Sequence, residues 1–225
     1  MFKRNIITLV AVAGCCASLP ALALTTTPAN SVYVSGDIGY GLLSTPDKNI
    51  ENADGIVITD ASHSNGNLAG GGNIGFNHAF TRNFLAGSEF GYDYNGQSKY
   101  TEDFHNTNLL TLRITSQDFH LLASATYLMG YGFDVFGKAG AAYVTQTAKV
   151  TGNSIDSDTD TQNGYEPMIA TGVGYQYKMV NIFAQYSHIF ANNASNFDDL
   201  TDSSGNQKIV SVDTFKLGAA VSVSI

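Results

Sequence analysis

The chain is short of charge, nearly free of cysteine and empty of tryptophan. Charged residues make up 13% of its 225 positions, against roughly a quarter in a soluble globular domain. Its two cysteines, Cys15 and Cys16, both fall inside an N-terminal stretch that reads as an export signal. Cleavage of that stretch leaves no thiol, which excludes disulfides, thiolate catalysis and cysteine-ligated metals. No other apolar run approaches the ~18 residues of a transmembrane helix. A chain so restricted crosses a membrane with strands if it crosses at all. Basic residues are also scarce, 11 against 19 acids, for a net charge of −8. Loss of Lys3 and Arg4 with the signal takes this to −10, and an acidic chain with no basic patch is not expected to bind nucleic acid.

The signal itself is readable. Lys3 and Arg4 precede the apolar "IITLVAVAG", and Pro20 precedes Ala21-Leu22-Ala23, an A-x-A cleavage site. Residues 1–23 are therefore expected to be a signal peptide, with the mature chain starting at Leu24 and a short segment, 24–30, before the first strand. An alternative reading takes Val12-Ala13-Gly14-Cys15 as a lipoprotein cleavage site with Cys15 lipidated.

What the chain does have is glycine (23), phenylalanine (13) and tyrosine (12). Residues 70–94, "GGGNIGFNHAFTRNFLAGSEFGYDY", begin with the G-x-G-x-x-G spacing of a dinucleotide fold. That motif requires a helix after the glycines to hold a phosphate. Here Ile74, Phe76, His78 and Phe80 alternate with Asn73, Gly75, Asn77 and Ala79, the period of a strand. After "TRN", Phe84, Phe90, Tyr92 and Tyr94 alternate with Gly87, Glu89, Gly91 and Asp93. This is a hairpin with one aromatic face and one small or polar face, not a phosphate cradle.

The same alternation recurs in "SVYVSGDIGYGLL", "DFHLLASATYLM", "FDVFGKAGAAYV", "IATGVGYQY", "IFAQYSHIF" and "DTFKLGAAVSVSI", giving eight strands. Their connections alternate in length. Short turns fall near 81–83, 128–132 and 178–180, and long polar segments near 43–67, 95–112, 146–165 and 191–207. Short turns at one end and long loops at the other describe an outer-membrane barrel. The polar faces are too small and hydrophilic to make a dry core, so the apolar faces are expected to meet lipid. One phase is out of step: Leu110, Leu112 and Ile114 are even, whereas the apolar residues from Phe119 are odd. A bulge, or a strand that continues above the membrane, would account for it.

With its eight strands, "FGKAGAAYV" at 136–144 and the alternating last strand, the chain resembles the small eight-stranded outer-membrane barrels, the OmpA/OmpX-like and opacity-type surface proteins of Gram-negative bacteria. The resemblance covers residues 31–225. It implies an all-β, eight-stranded antiparallel transmembrane barrel, partners in outer-membrane lipid, lipopolysaccharide and the barrel assembly machinery, and a structural or adhesive role at the surface. The family's last strand ends in an aromatic residue, whereas Ile225 stands here. A peptidoglycan-binding domain is not expected after the barrel.

Inside the barrel, Asp37, Glu89, Asp93, Asp118, His120, Lys138, Gln185 and Lys216 are expected to form a polar network, since a lone buried charge is costly. Eight strands enclose a lumen just wide enough to be filled by side chains, so a plugged cylinder of low conductance is expected. Ser116, Asp118 and His120 share one face and suggest a hydrolase triad, but four residues of strand separate Ser116 from His120 by about 13 Å. Asp156, Asp158 and Asp160 have the spacing of half a calcium loop, with Thr161 where glycine belongs and Pro167 where the closing glutamate belongs. No other metal site and no cofactor are expected. The four long segments hold twelve acids against Lys48, Lys99 and Lys149, a surface for basic or divalent-bridged partners, including host molecules. A narrow pore for small or apolar solutes and an envelope-lipid-modifying enzyme are the competing functions.

Overall fold

Strand alternation with an apolar face on every strand has only one way to satisfy both backbone and side chains, which is closure on itself. The computed structural model describes residues 30–45, 50–51, 57–58, 62–104, 108–152, 155–191 and 208–225. The expected signal peptide, with Ala21 and Ala23, lies outside the described residues. The strands are β1 (Ser31–Leu43), β2 (Ile50–Glu51), β3 (Val57–Ile58), β4 (Ser62–Ser64), β5 (Gly66–Ala79), β6 (Phe84–Phe104), β7 (Asn108–Gly130), β8 (Phe133–Gly152), β9 (Ile155–Tyr177), β10 (Val180–Ile189) and β11 (Val212–Ser224). Eight of them, β1 and β5 to β11, form an antiparallel ring in which each pairs with its sequence neighbour and β11 returns to β1. The short β4 extends the ladder beside β6, and β2 pairs with β3.

The faces fall as the alternation requires. Ile38, Ile74, Phe90, Leu121, Ile182 and Leu217 are exposed, while Ser35, Asn73, Glu89, Asp118 and Lys216 on the same strands are buried. Apolar outside and polar inside is the reverse of a soluble barrel. Phe76, Phe90 and Tyr92 point outward, and Gly75, Gly87 and Glu89 point to the lumen. The lumenal glycines make room for neighbours. A Cβ at Gly75 would run into the Tyr33 ring, and one at Gly71 into the Asp93 carboxylate. Tight turns close one end. At Tyr131-Gly132 both residues have positive φ (52° and 87°), the conformation of a two-residue hairpin turn.

Two of the segments expected as loops are strand. β6 runs on to Phe104 and β7 begins at Asn108, so most of 95–112 is ladder; likewise β8 reaches Gly152 and β9 starts at Ile155, inside 146–165. These four strands rise as a wall beyond the apolar belt, where the outer face meets water and no outward apolar alternation is needed to keep them paired. The candidate calcium residues fall in the same stretch of ladder. Asp156, Asp158 and Asp160 lie along β9, with Asp158 opposite Val150 and Asp160 opposite Ala148. An extended ladder strand does not wrap around an ion as a calcium loop does.

The out-of-step phase has a related cause. β7 runs from Leu112 to Leu122 with no register shift, and its inward residues are Ile114, Ser116, Asp118, His120 and Leu122. The bulge sits on β6 instead, where Asn95 and Gly96 together oppose one residue of β7 and Gly96 has φ +94°. Ile114 is therefore an inside residue. It joins Leu43, Val144, Met168, Ile189, Val210 and Val212 in an apolar cluster that fills the mouth of the barrel at the loop end.

Candidate functional site

The lumen is layered. Nearest the short turns, Asn181 donates to Asp134 at 2.7 Å, beneath an aromatic layer of Tyr33, Phe136 and Phe183. A cavity of about 100 Å³ lies there, lined in part by Glu89, Asp134 and Lys138. Above it, Glu89 accepts from the Tyr33 hydroxyl at 2.7 Å and from Lys138 Nζ at 2.8 Å. Lys138 also stands 5.1 Å over the Phe136 ring. One layer higher, Lys216 Nζ is ion-paired with Asp93 and lies 3.4 Å from Asp37.

His120 is the centre of this network. Its Nδ1 is 2.9 Å from Asp118 Oδ1, and its Nε2 is 3.1 Å from Asn73 Oδ1. The Asn73 amide nitrogen is committed to Ser35 and Asp37, so the oxygen is what faces the ring. Both imidazole nitrogens face acceptors, an arrangement that accommodates a proton on each. Four carboxylates, Asp37, Glu89, Asp93 and Asp118, here face Lys138, Lys216 and His120, and Asp134 is a fifth nearer the turns. Opposite charges held this close offset part of the cost of burying each one.

Seven of the eight expected network residues are thus brought together. The eighth, Gln185, is buried beside Lys216 in the β10–β11 register, but its Oε1 has no hydrogen-bond partner among the described residues. Asp93, Asp118 and His120 lie close enough to surround a metal ion. In this arrangement, though, the His120 nitrogens are occupied and Asp93 is held by Lys216. Ser116 does not complete a triad: the Gln146 amide donates to its hydroxyl at 3.4 Å, and His120 faces Asn73 instead.

Several participants were not singled out from sequence. Tyr33, Asn73 and Asn95 are lumenal by parity, yet nothing in one sequence distinguishes a network member from a space filler. Gln146 is the most consequential. It donates to Val210 O at 2.8 Å and accepts from Val210 N at 2.9 Å, pinning residues 208–211 across the mouth. On the outer face, Asp213 accepts from the Tyr186 hydroxyl at 2.5 Å and lies 2.8 Å from His188 Nδ1. The three share neighbouring rungs of β10 and β11, a relation only the register reveals.

A closed eight-stranded ring with lipid-compatible walls and ion pairs in its lumen defines an integral outer-membrane barrel of the small, eight-stranded class. The family described as the OmpA-like transmembrane domain matches residues 27–216, and the chain belongs to that family. No curated protein matches it. Among solved structures it is similar to Ail of Yersinia pestis in complex with the heparin analogue sucrose octasulfate, at 15% identity over 87% of this chain and 99% of that one, TM-score 0.45. OprG of Pseudomonas aeruginosa is 12% identical over 89% and 99%, TM-score 0.49, and Neisserial surface protein A 14% over 84% and 96%, TM-score 0.37. The protein resides in the Gram-negative outer membrane.

Proposed function

We propose that the barrel is a surface platform whose work is done by its loops, in a structural or adhesive role. The observation that carries this is the filled lumen, an apolar cap above and an ion-pair network below. What a plugged cylinder offers is its outer end, where the acidic segments lie. Their charge favours basic partners, or anionic ones bridged by divalent cations. Lipopolysaccharide and host surface molecules both fall within that chemistry. Cells displaying the protein are expected to adhere to an immobilised cationic protein, and neutralising Asp198, Asp199 and Asp202 to asparagine should reduce adhesion severalfold. Equal adhesion by the variant and by cells lacking the protein would overturn the reading.

An envelope-lipid-modifying enzyme would need a nucleophile beside His120, and Ser116 does not reach it. Lipid acyl profiles of cells expressing wild type, Ser116→Ala and His120→Ala are expected to be identical to those of cells without the protein. A wild-type acyl change lost in both variants would restore the enzyme.

A further inference from the structure

Above the aromatic belt the outer wall carries a row that the net charge of the chain conceals. Lys99 on β6 is directly opposite Arg113 on β7, and Arg113 directly opposite Lys149 on β8. All three side chains are exposed, and none forms an ion pair among the described residues. Adjacent strands are ~4.8 Å apart, so three cations stand in a line ~10 Å long. Like charges directly opposite one another destabilise a sheet. In a chain with 19 acids and 11 bases, this row is also improbable by composition.

The neighbouring rungs add to the pattern. Below the row, outward positions are Gln97, Thr115, Thr147 and Thr161; above it are Thr101, Thr111 and Thr151. None of these positions is acidic, and all supply hydroxyl or amide donors. The wall is therefore arranged to receive an anion with several oxygens, which is the chemistry of phosphate.

Height selects the source. The outward rung of Tyr92, Phe119, Tyr143 and Tyr165 is an aromatic girdle of the kind that sits at the membrane interface of such barrels. Arg113 lies six residues beyond Phe119 on β7, and at ~3.3 Å per residue with a strand tilt near 40° that is about 15 Å higher. A simple phospholipid headgroup region is only ~6 Å deep on each side, so its phosphate falls below the row. We infer that Lys99, Arg113 and Lys149 form a binding site for the phosphorylated oligosaccharide headgroup of an outer-leaflet glycolipid. The acyl chains would lie against the apolar belt, the sugars against the threonine rungs, and the phosphates at the cations. This goes beyond the loop-mediated role proposed above and does not depend on it.

The test uses the full mature barrel in detergent, titrated with rough-type lipopolysaccharide, the same glycolipid after enzymatic dephosphorylation, and a sulfated oligosaccharide. Wild type should retain the phosphorylated glycolipid. Retention should fall about fivefold per cation removed, on the order of a hundredfold in the Lys99→Gln/Arg113→Gln/Lys149→Gln variant. Lys178→Gln, at the opposite end, should change nothing, and Lys99→Arg/Lys149→Arg should retain the lipid. A heat-dependent gel shift establishes that each variant is folded. Equal retention by wild type and the triple variant overturns the site, as does equal retention of the dephosphorylated lipid. Binding of the sulfated oligosaccharide at the row, with no glycolipid retained, overturns the choice of partner. Loss of adhesion with lipid retention intact, or the reverse, separates this site from the loops.

Discussion

Lys216→Met should be among the most damaging single changes in the barrel, lowering stability by about 3–5 kcal/mol. The side chain is almost fully buried, ion-paired with Asp93 and 3.4 Å from Asp37. Methionine keeps the stem and removes the charge, so the loss is electrostatic rather than a cavity. Two carboxylates would then face each other in the lumen with one fewer cation between them. Removing one of those carboxylates as well should undo much of the damage. The double variant Lys216→Met/Asp93→Asn leaves Asp118 paired with His120 at 2.9 Å and should recover more than half of the loss. Urea titration of the barrel in micelles, read as loss of the heat-modifiable gel shift, measures both. A single variant within ~0.5 kcal/mol of wild type would mean that Lys216 is not the counter-ion its position implies.

Gln146→Leu is expected to open the mouth. The amide of Gln146 holds both the N–H and the C=O of Val210, and the leucine side chain has nearly the same volume but no polar atoms. Two buried backbone groups lose their partners, at about 1–3 kcal/mol each. That competes with the remaining ties of the strap: Ala191 N donates to the Ser211 hydroxyl and Ser44 N to Ser211 O, both at 2.9 Å. In planar bilayers the wild type should show no steady large conductance, and Gln146→Leu should show transient openings. Steady wild-type channels would refute the plugged lumen. A silent Gln146→Leu variant would mean that the apolar contacts of Val210 and Val212 hold the mouth unaided.

Much of this architecture is legible in the residues. Alternation sets which side of each strand meets lipid, and it places Glu89, Asp118 and Lys216 inside for the same reason that it places Phe90, Phe119 and Leu217 outside. It fails where the solvent changes. Above the belt the outside is water, so the outer face no longer needs to be apolar and the strands of 95–104 and 155–165 look like loops. In the same region the inside turns apolar, and Ile114 reads as out of phase although its parity never changes. One face of one strand thus inverts its polarity along its length. Partner choice within the lumen is a different matter. That Lys138 meets Glu89 and Lys216 meets Asp93 depends on the stagger of strands far apart in sequence, and the Lys99–Arg113–Lys149 row depends on register in the same way.

The β1–β11 seam also has a kinetic meaning. Every other pairing in the ring joins consecutive barrel strands, whereas this one pairs Ser31 with Ser224 and Leu43 with Val212. The chain between them is nearly the whole protein, so loop-closure entropy concentrates there, and long-range pairings of this kind form slowly. Across the seam small pairs, Gly36 with Ala219 and Asp37 with Gly218, are interspersed with apolar ones, Val34 with Val221 and Ile38 with Leu217. Lys216 and Asp37 reach across it inside the lumen. The ion pair that neutralises the interior is therefore also a latch, made only when the cylinder has found its own first strand.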